Sequence, residues 1–136
     1  MLDVARLLRN RPEIHGAIDV SDGLSTDLLR VCASAGVGCE VDASALRPSR
    51  ALSRFCNDRR ADLAEWMLVG GEDYALVLSV SWSKAGGLCA AVEKNTGVPA
   101  AVIGRFRSGA GYYRRDRDGK KHRLRATGWD HIGNNE

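Results

Sequence analysis

Short apolar runs, none longer than an ordinary strand, alternate with helix-period segments over the first hundred residues. That alternation restricts the chain to layered folds in which helices pack on a sheet. Residues 14–20, 37–41, 74–80 and 100–106 read as strands, the third carrying the strongest signal. Leu24, Leu28, Val31/Cys32 and Ala35 recur at helical spacing, with Ser21 or Asp22 placed to cap that helix and Gly36 to end it. Arg47-Pro48-Ser49 opens a second helix through about Cys56. Asn57 or Asp58 then caps a third, with Ala61, Ala64 and Leu68 on one side. Ser81 or Ser83 begins a further helix that closes at 95–97. Residues 112–115 and 120–125 read as a hairpin around Asp118-Gly119, a favoured turn pair. Residues 1–13 form a short helix or connector, 14–132 a single α/β (α+β) domain, and 133–136 a frayed tail.

A length of 136 residues suits one domain with a real core. No run approaches the roughly 18–20 apolar residues of a membrane helix. Met1 to Arg6 carries neither an uninterrupted apolar stretch nor a small-residue cleavage signal, so the expected compartment is the cytoplasm. Cys32, Cys39, Cys56 and Cys89 form no C-x-x-C pair and have no histidine at zinc spacing, and all four read as reduced thiols. Charge is unevenly placed: from Arg105 to Arg125 nine Lys/Arg face two aspartates, a local +7, while the rest of the chain carries −4. Such a segment can steer a polyanion. It serves equally as a solvated hairpin whose charged edges resist aggregation.

Two acidic loops stand out. In Asp19-Val20-Ser21-Asp22-Gly23 the first strand gives way to a helix, so both carboxylates lie beyond a strand end, where α/β sheets gather ligands. The helix N-terminus adds unpaired amides and partial positive charge, which favour a phosphate oxygen. Two carboxylates with a phosphate suit Mg²⁺, and Ser21 is placed to bond a phosphate or a metal-bound water. Plain helix capping explains the same residue types. In Gly70-Gly71-Glu72-Asp73-Tyr74 the glycines permit close backbone approach, and Glu72 and Asp73 point to opposite faces just before a buried strand. A structural pre-strand turn has this composition too.

The remaining residues are less informative. There is no G-x-x-x-x-G-K-[ST] and no protein-kinase motif set, and His15, His122 and His131 lack metal-ligand spacing. Trp66 and Trp82 read as core aromatics. Trp129, between Gly128 and Asp130, is free either to stack on a cationic ring or to pack.

Taken together, these segments resemble thiamine-monophosphate kinase, a member of the aminoimidazole-ribonucleotide synthetase superfamily. Residues 17–24 look like that family's D-[IV]-S-D-G-L segment. Residues 70–76 resemble its G-G-E-D-Y-E-L segment, with Ala75 in place of the usual acid. Ile103-Gly104-Arg105 matches its late I-G-x strand, and Gly128-Trp129-Asp130-His131 its terminal motif, with Ile132 where Phe is usual. The resemblance implies helices packed on a mixed sheet, like the C-terminal domain of the synthetase. It implies that Asp19 and Asp22 bind Mg²⁺, that Ser21 contacts ATP, and that Glu72 and Trp129 contact thiamine monophosphate. The reaction implied is transfer of the γ-phosphoryl group of ATP to the substrate's phosphate, giving thiamine diphosphate.

The family's members are about twice as long and homodimeric, with an N-terminal domain that supplies further acidic metal ligands. The expectation is therefore a separated domain or split product, inactive alone, whose missing half comes from another domain or partner chain. Rival readings are another synthetase of the superfamily, a non-catalytic nucleotide- or phosphate-binding module, and a nucleic-acid binder using 105–125. The last lacks any RNA-recognition signature.

Overall fold

Ile14–Val20 forms β1, and only its last side chain, Val20, is fully buried. It pairs antiparallel with β3, Ala75–Val80, in a two-stranded ribbon with Asp19 opposite Leu76 and Val20 opposite Ala75. The structure, a computed structural model, describes residues 2–70 and 75–125. Between the two strands run α2 (Leu24–Ala35), β2 (Gly38–Asp42), α3 (Arg50–Arg59) and α4 (Leu63–Val69). The helix α1 (Leu2–Leu8) precedes them, and α5 (Trp82–Thr96), β4 (Gly104–Arg107), β5 (Tyr112–Arg115) and β6 (Lys121–Arg123) follow. The second sheet has strand order β4-β2-β5-β6: β2 runs antiparallel to β4 and parallel to β5, so it is mixed, as expected. Its core lies against α2, where Leu24, Leu28 and Cys32 meet Cys39, Val41, Leu46, Leu68 and Leu124.

Several boundaries differ from the sequence expectation for local reasons. The cap of α2 is Gly23, which makes no side-chain bond to the helix, rather than Ser21 or Asp22. The third-helix cap is not Asn57 or Asp58, which lie inside α3. That helix runs on until Arg60 turns left-handed (φ 52) and the Ala61 amide bonds the Cys56 carbonyl, a Schellman-type ending. Asp62 caps α4 instead, accepting from the amides of Ala64 and Glu65 at 2.9 and 3.2 Å. Strand β4 begins only at Gly104, since β2 ends at Asp42, whose amide reaches no further than the Ile103 carbonyl at 2.8 Å; a Cβ on Gly104 would sit 2.2 Å from the Glu40 carbonyl oxygen. Trp66 and Trp82 are not core: they are 48% and 68% exposed. Trp66 meets the Phe55 ring edge-on at 5.0 Å, and Trp82 lies under the Arg105 guanidinium at 5.9 Å.

The basic C-terminal segment is largely matched by carboxylates within the fold. Glu40 points from β2 to the sheet face opposite Cys39 and Val41, where Lys121 (2.7 Å), Arg115 (3.6 Å) and Arg107 (3.9 Å) converge on it. Arg114 holds Asp62 at 3.0 Å and Asp116 at 3.4 Å, and Lys120 holds Asp118 at 2.9 Å. Five of the nine cations are thereby engaged, which favours the hairpin reading over a polyanion surface. The Lys121 hydrogen bond, with Coulomb support from Arg115 and Arg107, holds the Glu40 carboxyl below its ordinary value of 4.5. Because the folded value is the lower one, the stabilisation is complete above the unfolded value and lost as pH falls through the folded value. Glu40→Gln should therefore show a shallower loss of stability than the parent between about pH 5 and pH 3 in urea titrations. It should also be less stable at neutral pH, where three cations would face one another. Parallel pH curves would remove Glu40 from the account.

Candidate metal and phosphate site

The site is built where β1 stops. Val20 is anchored in the core, which sends Ser21, Asp22 and Gly23 out over the start of α2 and leaves Asp19 exposed at the strand end. The loop is held from beneath by Asp27, a residue only 2% exposed. Its Oδ2 accepts from the backbone amides of Ser21 (2.9 Å) and Asp22 (3.0 Å). Its Oδ1 accepts from Arg30 Nη1 at 3.0 Å. The same Arg30 nitrogen also donates to Asp22 Oδ2. That hydrogen bond, before the neighbouring charges, raises the Arg30 guanidinium above its ordinary value and keeps it charged throughout the working range. Ser21 Oγ donates to Asp22 Oδ1 at 3.4 Å.

Gly23 joins this loop to the second one. It has φ +110, and a Cβ there would stand 2.7 Å from the Val69 carbonyl oxygen and 3.4 Å from that of Gly70. The last turn of α4 is thus packed directly on the start of α2. Since Val20 pairs with Ala75, β3 begins beside the point where the first loop leaves the ribbon. Glu72 and Trp129 lie outside the described residues, so the structure assigns positions only to Asp19, Ser21 and Asp22 of the expected set.

Chemically, the described residues supply two carboxylates beyond a strand end and the start of a helix whose cap residue, Gly23, makes no side-chain bond to it. The helix dipole favours an anion there. No group of three or more His, Cys, Asp or Glu among the described residues is arranged to hold a metal. Two carboxylate oxygens still fit Mg²⁺, which fills its octahedron from water and substrate phosphates rather than from an all-protein cage. A cavity of about 260 Å³ on the outer sheet face, lined by Glu40, Asp42, Trp82, Val102, Gly104, Arg105 and Arg115, shares no residue with this loop.

Sequence reasoning missed Asp27 and Arg30. A signal was present: Asp27 falls three residues after Leu24 on the apolar face of α2, a place where a carboxylate must be paired to be buried. Ser25 Oγ, in the same turn, is buried without a hydrogen-bond partner among the described residues.

Residues 1–116 match the family described as AIR synthase related protein, C-terminal domain. The chain belongs to that family. Within it, the chain is 36% identical to the thiamine-monophosphate kinase of Salmonella typhimurium, aligning over 95% of its own length and 42% of the relative's. It therefore spans about two-fifths of that enzyme. Among solved structures, AaThiL complexed with AMPPCP and TMP superposes with a TM-score of 0.74 at 26% identity, covering 96% of this chain and 37% of that one. The Escherichia coli hydrogenase maturation protein HypE superposes at 0.78 with 24% identity over 96% and 40%, a likeness of fold alone. The AIR synthase related fold, with its helices on a mixed sheet, is the one the motifs at 19–23 and 70–74 led us to expect.

Proposed function

We propose that this chain is the C-terminal, ligand-binding domain of an ATP-dependent thiamine-monophosphate kinase. The observation that carries the reading is the packing of Gly23 on Val69 and Gly70, which sets the Asp19–Ser21–Asp22 loop against the approach to the second acidic loop. The level of identity to a thiamine-monophosphate kinase, and the likeness to AaThiL complexed with AMPPCP and TMP, support the same reading. In it, Asp19 and Asp22 hold Mg²⁺, Ser21 bonds a phosphate of ATP, and Glu72 and Trp129 hold thiamine monophosphate. When bound, Mg²⁺ neutralises charge developing on the transferred phosphoryl group. The chain's own part is positional: Asp27 fixes the loop backbone, and the N-terminal end of the α2 dipole favours an anion.

Two carboxylates neutralise too little of the charge that accumulates when one phosphate attacks another. The domain therefore binds ligand but acts only with a second domain or partner chain that brings further carboxylates, within a cytoplasmic homodimer. A non-catalytic nucleotide-binding module is the second reading, because the HypE likeness shows that this fold serves more than one protein. Calorimetry and amide-shift NMR with MgCl₂ and β,γ-methylene-ATP test the proposal. Shifts should centre on Asp19 to Gly23, and Asp19→Asn or Asp22→Asn should each weaken Mg²⁺-dependent binding about ten-fold or more. Unmoved loop amides would sink the assignment. Turnover of Mg²⁺-ATP and thiamine monophosphate by the purified chain would refute the claim that it is inactive alone.

A further inference from the structure

Arg30 stands where a metal-binding loop would not be expected to keep a cation. Its guanidinium bridges two carboxylates, Asp22 in the loop and Asp27 beneath it, through one nitrogen. The two contacts are unequal. Asp27 is buried and also receives two backbone amides, so it cannot leave without unmaking the loop. Asp22 is the less buried of the two, its side chain 17% exposed against 3% for Asp27, and the Arg30 side chain is 55% exposed, so the Asp22 contact is the one that can exchange. A carboxylate oxygen neutralised by a guanidinium is a poorer ligand for a divalent cation, and a cation placed beside Arg30 is repelled by it. A phosphate oxygen reverses both terms, because arginine takes phosphate readily in place of carboxylate.

We propose that Arg30 is a resident counter-ion that couples the two ligands of the loop. It holds Asp22 while the site is empty and releases it to the metal when a phosphate arrives to occupy the guanidinium. Asp27 acts as the tether that keeps Arg30 in place during the exchange. The loop then favours the metal–polyphosphate complex over the bare cation. This rests on the assignment of Asp22 as a metal ligand, and it makes Arg30 a positioning residue for that ligand.

The test measures Mn²⁺ binding by electron paramagnetic resonance on the full chain, first with MnCl₂ alone and then with β,γ-methylene-ATP added. Amide spectra establish that each variant is folded. Arg30→Gln should bind Mn²⁺ alone about ten-fold more tightly than the parent, a coupling of ordinary size for linked sites. It should also lose most of the enhancement that the nucleotide gives the parent. Arg30→Lys, which keeps the charge but replaces the planar, directional guanidinium with a compact ammonium on a shorter side chain, should fall between them and carries the test if the glutamine variant does not fold. Unchanged or weaker Mn²⁺ affinity in both variants would reduce Arg30 to a structural ion pair and overturn the proposal. If neither parent nor variant binds Mn²⁺ with or without nucleotide, the metal assignment itself fails and the proposal with it. Tight binding that persists in Asp22→Asn would place the metal elsewhere.

Discussion

Asp27→Asn is expected to lower stability by about 3 kcal/mol, or ~10 °C in Tm for a domain of this size, although it changes neither volume nor shape. The carboxylate accepts three hydrogen bonds, from the amides of Ser21 and Asp22 and from Arg30, and is almost wholly buried. An amide has one acceptor oxygen and one NH₂. If the oxygen stays with the two backbone amides, the NH₂ faces the guanidinium, donor against donor. If the group flips, two backbone donors are stranded. Each arrangement leaves buried donors unmatched, at about 1–3 kcal/mol apiece. The same variant should exchange its Ser21 and Asp22 amides faster by hydrogen exchange, which separates loss of the loop from general loosening of the helix. A Tm within about 2 °C of the parent, with those amides still protected, would mean that the loop is held by something other than Asp27.

Much of this fold could be read from the chain because its signals are local. Leu24, Leu28 and Cys32 mark α2, Gly36 ends it in the left-handed conformation, and Ser49 caps α3 as its side chain suggests. The pairing of strands is different in kind. Nothing in the sequence says that β1 pairs with β3 in its own ribbon, or that β5 runs parallel to β2 while β4 runs against it. Those are contacts between distant segments, chosen by packing. The same cause explains β4: the residues before Gly104 have strand-like composition, but β2 ends at Asp42, whose amide reaches only as far as the Ile103 carbonyl. Trp66 and Trp82 show the limit of residue type, since both rings find partners at the surface, against Phe55 and Arg105.

At the site, glycine and carboxylates gathered at a strand end were enough to single out Asp19, Ser21 and Asp22 as candidates. They were not enough to find the support beneath. Asp27 lies about 60° around α2 from Leu24, well inside the buried stripe, yet its type suggests a solvent-facing position. Only the loop's path shows that two stranded amides pass directly over it. Asp22, the residue most plainly chemical in the sequence, is held through Arg30, eight residues further on.

Gly23→Ala carries the largest expected effect on the site. Gly23 sits at φ +110, where a side chain costs about 1–3 kcal/mol in backbone strain alone. The added methyl would also stand 2.7 Å from the Val69 carbonyl oxygen, which is fixed at the end of α4 and cannot swing aside as a flexible side chain would. Relieving that overlap moves α2 and α4 apart, for about another 1–3 kcal/mol. The total is a large share of the roughly 5–15 kcal/mol that holds an ordinary domain together. Gly87→Ala is the matched control: the same methyl is added within α5, where nothing lies within 4 Å and φ is not positive, so it should be neutral or slightly stabilising. At temperatures where Gly23→Ala remains folded, Mg²⁺-dependent binding of β,γ-methylene-ATP should still fall about ten-fold or more, because the first loop no longer rests on residues 69–70. Loss of stability with unchanged binding would show that the two loops work independently, and that Gly23 serves the fold without serving the site.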